Sequence, residues 1–204
     1  MLRNIFIYIA LICCTCRNDV MSIQIGSPSE NIRIFIENNQ NITYSVRFND
    51  RVVIKKSLLG ILFKDGNKLF LDPEIINVSE KNEDEIWELP WGEVKKIRNN
   101  YREKTVSIKD KGNGMLVDLI FRAYDDGIAF RYYVRNSVDN KDSIIINNEV
   151  TQFNLVEDAE TWWIPAYEKN RYEYLYKKTK ISEMDTVHTP LTIRYNNGIH
   201  LSIH

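Results

Sequence analysis

Residues 115–134 carry the pattern that most narrows the choice of fold. Leu119, Phe121 and Ala123 alternate with Arg122 and Tyr124; after Asp125-Asp126-Gly127, Ile128, Phe130, Tyr132 and Val134 alternate with Arg131 and Tyr133. A period of two sends one set toward a core and the other toward solvent, as in half-buried strands. Asp bonds its own backbone and Gly takes positive φ without steric cost, so the three residues between the arms predict a tight turn and the whole a hairpin. Arg122 and Arg131 belong to the outward set, where each calls for a carboxylate partner or water. A hairpin is marginal alone, so its apolar face requires strands from elsewhere in the chain.

Those strands are written upstream. Ile23 and Ile25, then Ile32, Ile34 and Ile36, then Ile42, Tyr44, Val46 and Phe48 alternate, separated by Gly26-Ser27-Pro28-Ser29 and Asn38-Asn39-Gln40-Asn41, and Asn49-Asp50 turns the chain into Val52-Val53-Ile54. Residues 58–63 read as a buried strand because the run is apolar throughout. Glu80, Glu83, Asp84, Glu85 and Glu88 read as a solvated connector. Pro90-Trp91-Gly92 predicts a stiff bend, and residues 101–108 a strand. Beyond the central hairpin, residues 143–146 and 150–155 read as two strands, and residues 191–204 as a hairpin around Asn196-Asn197-Gly198. No long window has helical periodicity, so the expected class is all-β, an antiparallel sandwich in preference to a closed barrel.

The N-terminus has a separate logic. Arg3 precedes an apolar run over residues 5–12, and Cys13, Cys14 and Cys16, which are all the cysteines of the chain, follow it. This matches an export leader over residues 1–20, read either as a cleaved secretion signal or as a lipoprotein leader lipidated at Cys14. The expected location is the periplasm or the outer membrane, with membrane attachment only through such an anchor. Residues 21–204 are then free of disulfides and thiolate metal sites. With 27 Lys and Arg against 28 Asp and Glu, the chain has no electrostatic reason to bind nucleic acid.

Four blocks in order resemble the amino-terminal domain of family 97 glycoside hydrolases: Pro90-Trp91-Gly92-Glu93 with Lys96-Ile97-Arg98-Asn99-Asn100-Tyr101; the segment from Phe121 to Tyr132; Trp163-Ile164-Pro165; and Tyr172-Glu173-Tyr174. The resemblance runs from about Ser27 to His204. It implies a β-super-sandwich of the galactose-mutarotase type, carried by an exported bacterial α-glucosidase or α-galactosidase whose hydrolytic chemistry resides in a following (β/α)8 barrel. Residues 21–204 would hold a partial copy of this domain, ending inside a strand and lacking the barrel. On this reading the chain alone is inactive, and its partners are the catalytic barrel and an oligosaccharide or other α-glycoside.

Glycoside hydrolysis requires two carboxyl groups facing each other across the bond to be cut. Asp125 and Asp126 are adjacent and serve as turn formers. Glu157, Asp158 and Glu160 read as a solvated loop, with a sugar cleft as the alternative. No catalytic residue is therefore assigned. Glu173, followed by Lys177 and Lys178, reads from spacing alone as a surface ion pair; the resemblance implies instead that it lends an oxygen to calcium in the barrel of the intact enzyme. Among the tryptophans, Trp91 and Trp163 read as core, and Trp162 is the candidate for stacking on sugar. His188, His200 and His204 match no acid–base motif and read as surface or strand-end residues. The alternative functions are a free carbohydrate-binding module and a non-functional fragment.

Overall fold

The computed structural model describes residues 21–135, 144–169 and 173–204. Residues 1–20, read as a leader, lie outside the described residues with their cysteines, as do Ser143 and Tyr172.

Strands β1 (Met21–Gly26), β2 (Ile32–Asn39), β3 (Asn41–Phe48) and β4 (Arg51–Leu58) form an antiparallel sheet in chain order. Register sets Ile23 opposite Ile36, Ile25 opposite Ile34, and Ile36 opposite Tyr44, so the alternating residues share one face, and these five are buried. The turn from β3 to β4 has both central residues at positive φ, Asn49 at 47° and Asp50 at 62°, the geometry that follows strand twist and that Asn and Asp tolerate.

After β5 (Ile61–Phe63), strands β6 (Pro73–Glu88), β7 (Lys96–Asp110), β8 (Leu116–Ala123) and β9 (Ile128–Val134) form a second antiparallel sheet, again in chain order. The central hairpin is β8–β9, with Phe121 opposite Phe130 and Leu119 opposite Tyr132. Its inner face packs on the first sheet: the Tyr44 ring lies 6.2 Å from Phe121 and 5.4 Å from Phe130. Val106, Ile108, Val117, Leu119 and Phe121 join Ile34, Ile36 and Ile42 in one core. Each large core side chain removed from water contributes about 1.5–3 kcal/mol, so this layer is the main source of stability.

The short strand β10 (Ile146–Glu149) pairs with β5. Strands β11 (Glu160–Trp163), β12 (Lys177–Lys180), β13 (Leu191–Arg194) and β14 (His200–Ile203) make a third antiparallel sheet in the order β12-β11-β13-β14. It is joined to the first sheet by the buried Tyr195, whose hydroxyl donates to the carbonyl of Val53 at 2.6 Å. Among the described residues the only helical element is the 3-10 turn Ile181–Glu183, and no helix is long and apolar enough to cross a membrane. The all-β antiparallel class is borne out.

Four readings need correction. The acidic run is the outer half of β6, because β7 supplies partners across the ladder: Lys104 for Glu80, Asn99 for Glu85, Lys96 for Glu88, and Arg98 diagonally for Asp84. Opposite charge and polar pairs stabilise a strand that shows no alternation. Residues 150–155 run beside β4 without forming a strand. Backbone bonds from Lys55 N–H to the Asn154 carbonyl at 2.8 Å and from Gln152 N–H to the Leu58 carbonyl at 2.9 Å are interleaved there with side-chain ones, Asn154 N–H donating to Ser57 Oγ at 2.9 Å and Leu58 N–H to Gln152 Oε1 at 3.3 Å, so the pairing is irregular and only Leu155 bridges Ile54. The run over residues 58–63 is broken at Leu59-Gly60, where Gly60 N–H leaves the sheet to donate to the Tyr132 hydroxyl at 3.0 Å. Trp91 is not core: it is 85% exposed at the tip of the β6–β7 hairpin.

Candidate functional site

Strict alternation along β11 divides its two tryptophans. Trp163 is buried, with its indole N–H donating to Thr179 Oγ1 at 2.9 Å and Lys177 Nζ 4.9 Å from the ring centroid. Trp162 points to the other face and is half-buried. Its directly opposite neighbours are Lys178 on β12 and Thr192 on β13. Lys178 Nζ lies 5.3 Å and Arg194 Cζ 5.4 Å from the Trp162 ring centroid, so two cations share one aromatic surface. Both are held by Glu160, with Lys178 at 3.1 Å. The hydrogen bonds from Lys178 and then Arg194 keep the Glu160 carboxyl below the usual carboxylate range. A sugar stacking on Trp162 would meet a ring already bracketed by this charged group.

Glu173 is exposed and lies on the segment leading into β12. Leu175 and Tyr176 beyond it are exposed, and so is Tyr167 before it, Leu175 and Tyr167 each to 92%. Tyr167 adopts φ of 60°, a conformation a bulky side chain holds only under local constraint. Glu173 thus lies in a stretch of chain whose large side chains bury little surface of their own. Among the described residues, no group of three or more His, Cys, Asp or Glu could hold a metal ion. Calcium takes about six to eight oxygen ligands, so Glu173 fits at most as one ligand of a site completed from elsewhere.

The remaining carboxylates have structural employment. Asp125 accepts from Ser29 N–H at 2.8 Å and Ser29 Oγ at 2.7 Å, tying the β8–β9 turn to the β1–β2 loop; the Ser29 backbone bond, then the hydroxyl, lowers its pKa. Asp158 accepts from Ser182 N–H and Oγ at 2.8 and 2.9 Å, which likewise lowers its pKa, while Glu157 accepts from the Asn196 amides. Glu157 and Asp158 line an open cleft of about 690 Å³ together with Lys55 and Lys56. A general acid for glycoside cleavage needs its pKa raised, and the shifts at Asp125, Asp158 and Glu160 run the other way. Two buried carboxylates escaped the sequence reading. Asp110 receives the N–H groups of Leu71, Asp72 and Gly112 at 3.0, 2.9 and 3.1 Å, and Asp118 receives Ser107 Oγ at 2.7 Å and the Arg135 guanidinium at 2.7 and 2.8 Å. The turn-rich Asp110-Lys111-Gly112-Asn113-Gly114 was the one available signal for the first. Asp118 sits in an apolar run with no signal at all. Of the histidines, His188 lies with its ring centroid 6.4 Å from that of Tyr167, and His200 contacts the carbonyl of Gly198.

Comparison with known proteins supplies what the isolated geometry does not. Residues 25–204 match the family described as Glycosyl-hydrolase 97 N-terminal. A retaining alpha-galactosidase of Bacteroides thetaiotaomicron is 22% identical over 212 residues, spanning 97% of this chain and 30% of that protein. Structures of a glycoside hydrolase family 97 enzyme from Pseudoalteromonas sp. strain K8, in complex with panose and with acarbose, are 34% identical, with a TM-score of 0.84 over 89% of this chain and 28% of theirs. A beta-arabinopyranosidase structure shares the fold at 22% identity and a TM-score of 0.76, over 84% of this chain and 29% of its own. The chain thus spans under a third of the length of these relatives. It belongs to the glycosyl-hydrolase 97 N-terminal family.

Proposed function

We propose that this chain is the non-catalytic amino-terminal β-sandwich of an exported α-glycosidase, acting on α-glucosides or α-galactosides, that buttresses a catalytic barrel and lends Glu173 to a calcium ion bound there. The observation that carries the reading is the exposed Glu173, near in sequence to exposed Tyr167, Leu175 and Tyr176, in a chain that matches only the first part of larger glycoside hydrolases. Large exposed side chains in the same stretch as the carboxylate suit a surface covered by a second domain, which would exclude water from the ion. Calcium, when bound, would supply positive charge at the reacting centre. Glu173 would hold one of its coordination positions, and the strands on either side would fix where that carboxylate sits.

The test is a chimera in which this chain replaces the amino-terminal domain of the Pseudoalteromonas enzyme. Glu173→Gln should raise the calcium concentration needed for half-maximal hydrolysis by tenfold or more, on the scale of losing one charged ligand. An unchanged calcium dependence would remove Glu173 from the site. Titration of the chain alone with maltose and with galactosides separates the second reading, a free carbohydrate-binding module, which requires saturable binding without turnover.

A further inference from the structure

The open cleft of about 690 Å³ lies where the first and third sheets adjoin, between β4, the segment over residues 153–155, the loop into β11 and the 3-10 turn. That volume is within the range of sites for small ligands. Its walls are tied to one another through the fold. Tyr195 holds the third sheet to Val53 on β4, Lys55 N–H donates to the Asn154 carbonyl at 2.8 Å, and Ile181 N–H donates to the Ala159 carbonyl at 3.1 Å. A ligand entering here orders little of the protein, which removes one of the main costs of binding.

The lining combines two chemistries. Phe153, Leu155 and Ile181 form its apolar part, and Phe153 rests on core rings, 6.2 Å from Tyr44 and 6.3 Å from Phe130 between centroids, while staying 39% exposed. The charged part is balanced, with Lys55 and Lys56 against Glu157 and Asp158, so a ligand of either net charge meets a like charge. Both carboxylates are held without being used up. Asp158 takes Ser182 N–H on one oxygen and Ser182 Oγ on the other, and Glu157 takes the backbone and side-chain amides of Asn196 in the same way. A carboxylate offers about four lone-pair sites, so each keeps about two in directions fixed by these bonds. Lys55 is exposed and enters no ion pair among the described residues, which leaves its ammonium as a donor.

We infer that this cleft is a non-catalytic binding site for a neutral oligosaccharide with α-linked glucose or galactose, a choice of ligand that rests on the function proposed above. Sugar hydroxyls donate to Glu157 and Asp158 and accept from Lys55, and the C–H face of a pyranose covers Phe153 and its apolar neighbours. A peptide is the poorer occupant. Adding a strand requires open backbone groups, and on this side of β4 the N–H of Lys55 and the carbonyl of Leu58 are already bonded to Asn154 and Gln152.

Isothermal titration calorimetry of the full chain, with maltotriose for α-glucosides and raffinose for α-galactosides, should show saturable binding of at least one with a Kd on the order of 1 mM, as an open site allows. Lys55→Ala, which removes no ion pair among the described residues, should weaken that binding about fivefold, and adding Asp158→Asn about fivefold more, each on the scale of one lost hydrogen bond, with the circular dichroism spectrum unchanged. Glu173→Gln should leave sugar binding as it is, so the failure of this inference and the failure of the calcium reading are separate results. Absence of binding by both sugars overturns the inference. Equal binding by the parent and the double variant overturns it by moving the sugar to another surface, and equal or tighter binding of a trigalacturonate overturns the selection for a neutral ligand.

Discussion

One hairpin, β6–β7, has two regions of opposite character. Toward its root, Val106 and Ile108 are fully buried and a third strand, β8, runs alongside. Toward its tip the same two strands carry charge pairs on their sides and exposed tryptophan at the end, with no third strand among the described residues. Backbone pairing is continuous across both regions, so hydrogen bonding does not make the difference. Burial does: the root closes the core against Tyr44 and its neighbours, whereas beyond Tyr101, which packs on Tyr124, and Asn99 the strand pair carries exposed side chains. The root therefore carries the stability of the fold, and the tip contributes little to it.

The sharpest way to break that comparison is to empty the root's layer. Phe121→Ala, which removes a ring packed between Tyr44 and Phe130, should cost about 3–5 kcal/mol in urea unfolding, whereas a loss under about 1 kcal/mol would mean the two sheets are not closely packed there. Next comes Asp110→Ala. It strands three backbone N–H groups at the foot of β7 and should cost about 2–3 kcal/mol; a neutral result would mean that water replaces the carboxylate.

Alkali probes the same layer without a mutation. Burial pushes the Tyr132 hydroxyl up to about 12, so the unfolded chain releases that proton first. The stabilisation is whole below the ordinary tyrosine value of 10 and is lost as pH rises toward 12, which a series of melting temperatures across that window would detect. The acid limb has the opposite sign. The carboxylates of Asp84 on the outer half of β6, Asp125 on the central turn and Asp158 have lowered pKa values, so what they contribute is present above the ordinary carboxylate range and fades as pH falls below it. These three groups are exposed, so the acid effect should be small and should shrink with salt. The smallest effect belongs to Trp91→Ser, expected within about 0.5 kcal/mol of the parent at dilute concentration despite deleting the largest side chain at the tip. A cost comparable to Phe121→Ala would show that the tip folds back on the body.

Period-two alternation made β1 to β3, β8 and β9 legible, because each buries one face, and Asn49-Asp50 and Asp125-Asp126-Gly127 placed their turns through backbone chemistry that is local. The acidic half of β6 was not legible, since its stabilising partners lie on β7, up to 24 residues away in the case of Glu80 and Lys104. The same holds for residues 150–155, where bonds to the Ser57 and Gln152 side chains interrupt the backbone ladder. Burial of tryptophan follows from what lies opposite: Trp163 meets a core and Trp91 meets none, yet both stand in similar aromatic stretches. At the candidate site, Glu173 was found through family resemblance, as its own neighbourhood of lysines suggests only a surface ion pair. The bracketing of Trp162 by Lys178 and Arg194 required the strand order β12-β11-β13, which a linear reading does not contain.

The account as a whole rests on this chain being a support with no acid and base of its own to cleave a glycoside. The direct measurement is hydrolysis of nitrophenyl α-glucoside and α-galactoside by the purified chain in the presence of calcium. The expected result is release of nitrophenol indistinguishable from buffer; turnover that scales with chain concentration would contradict it.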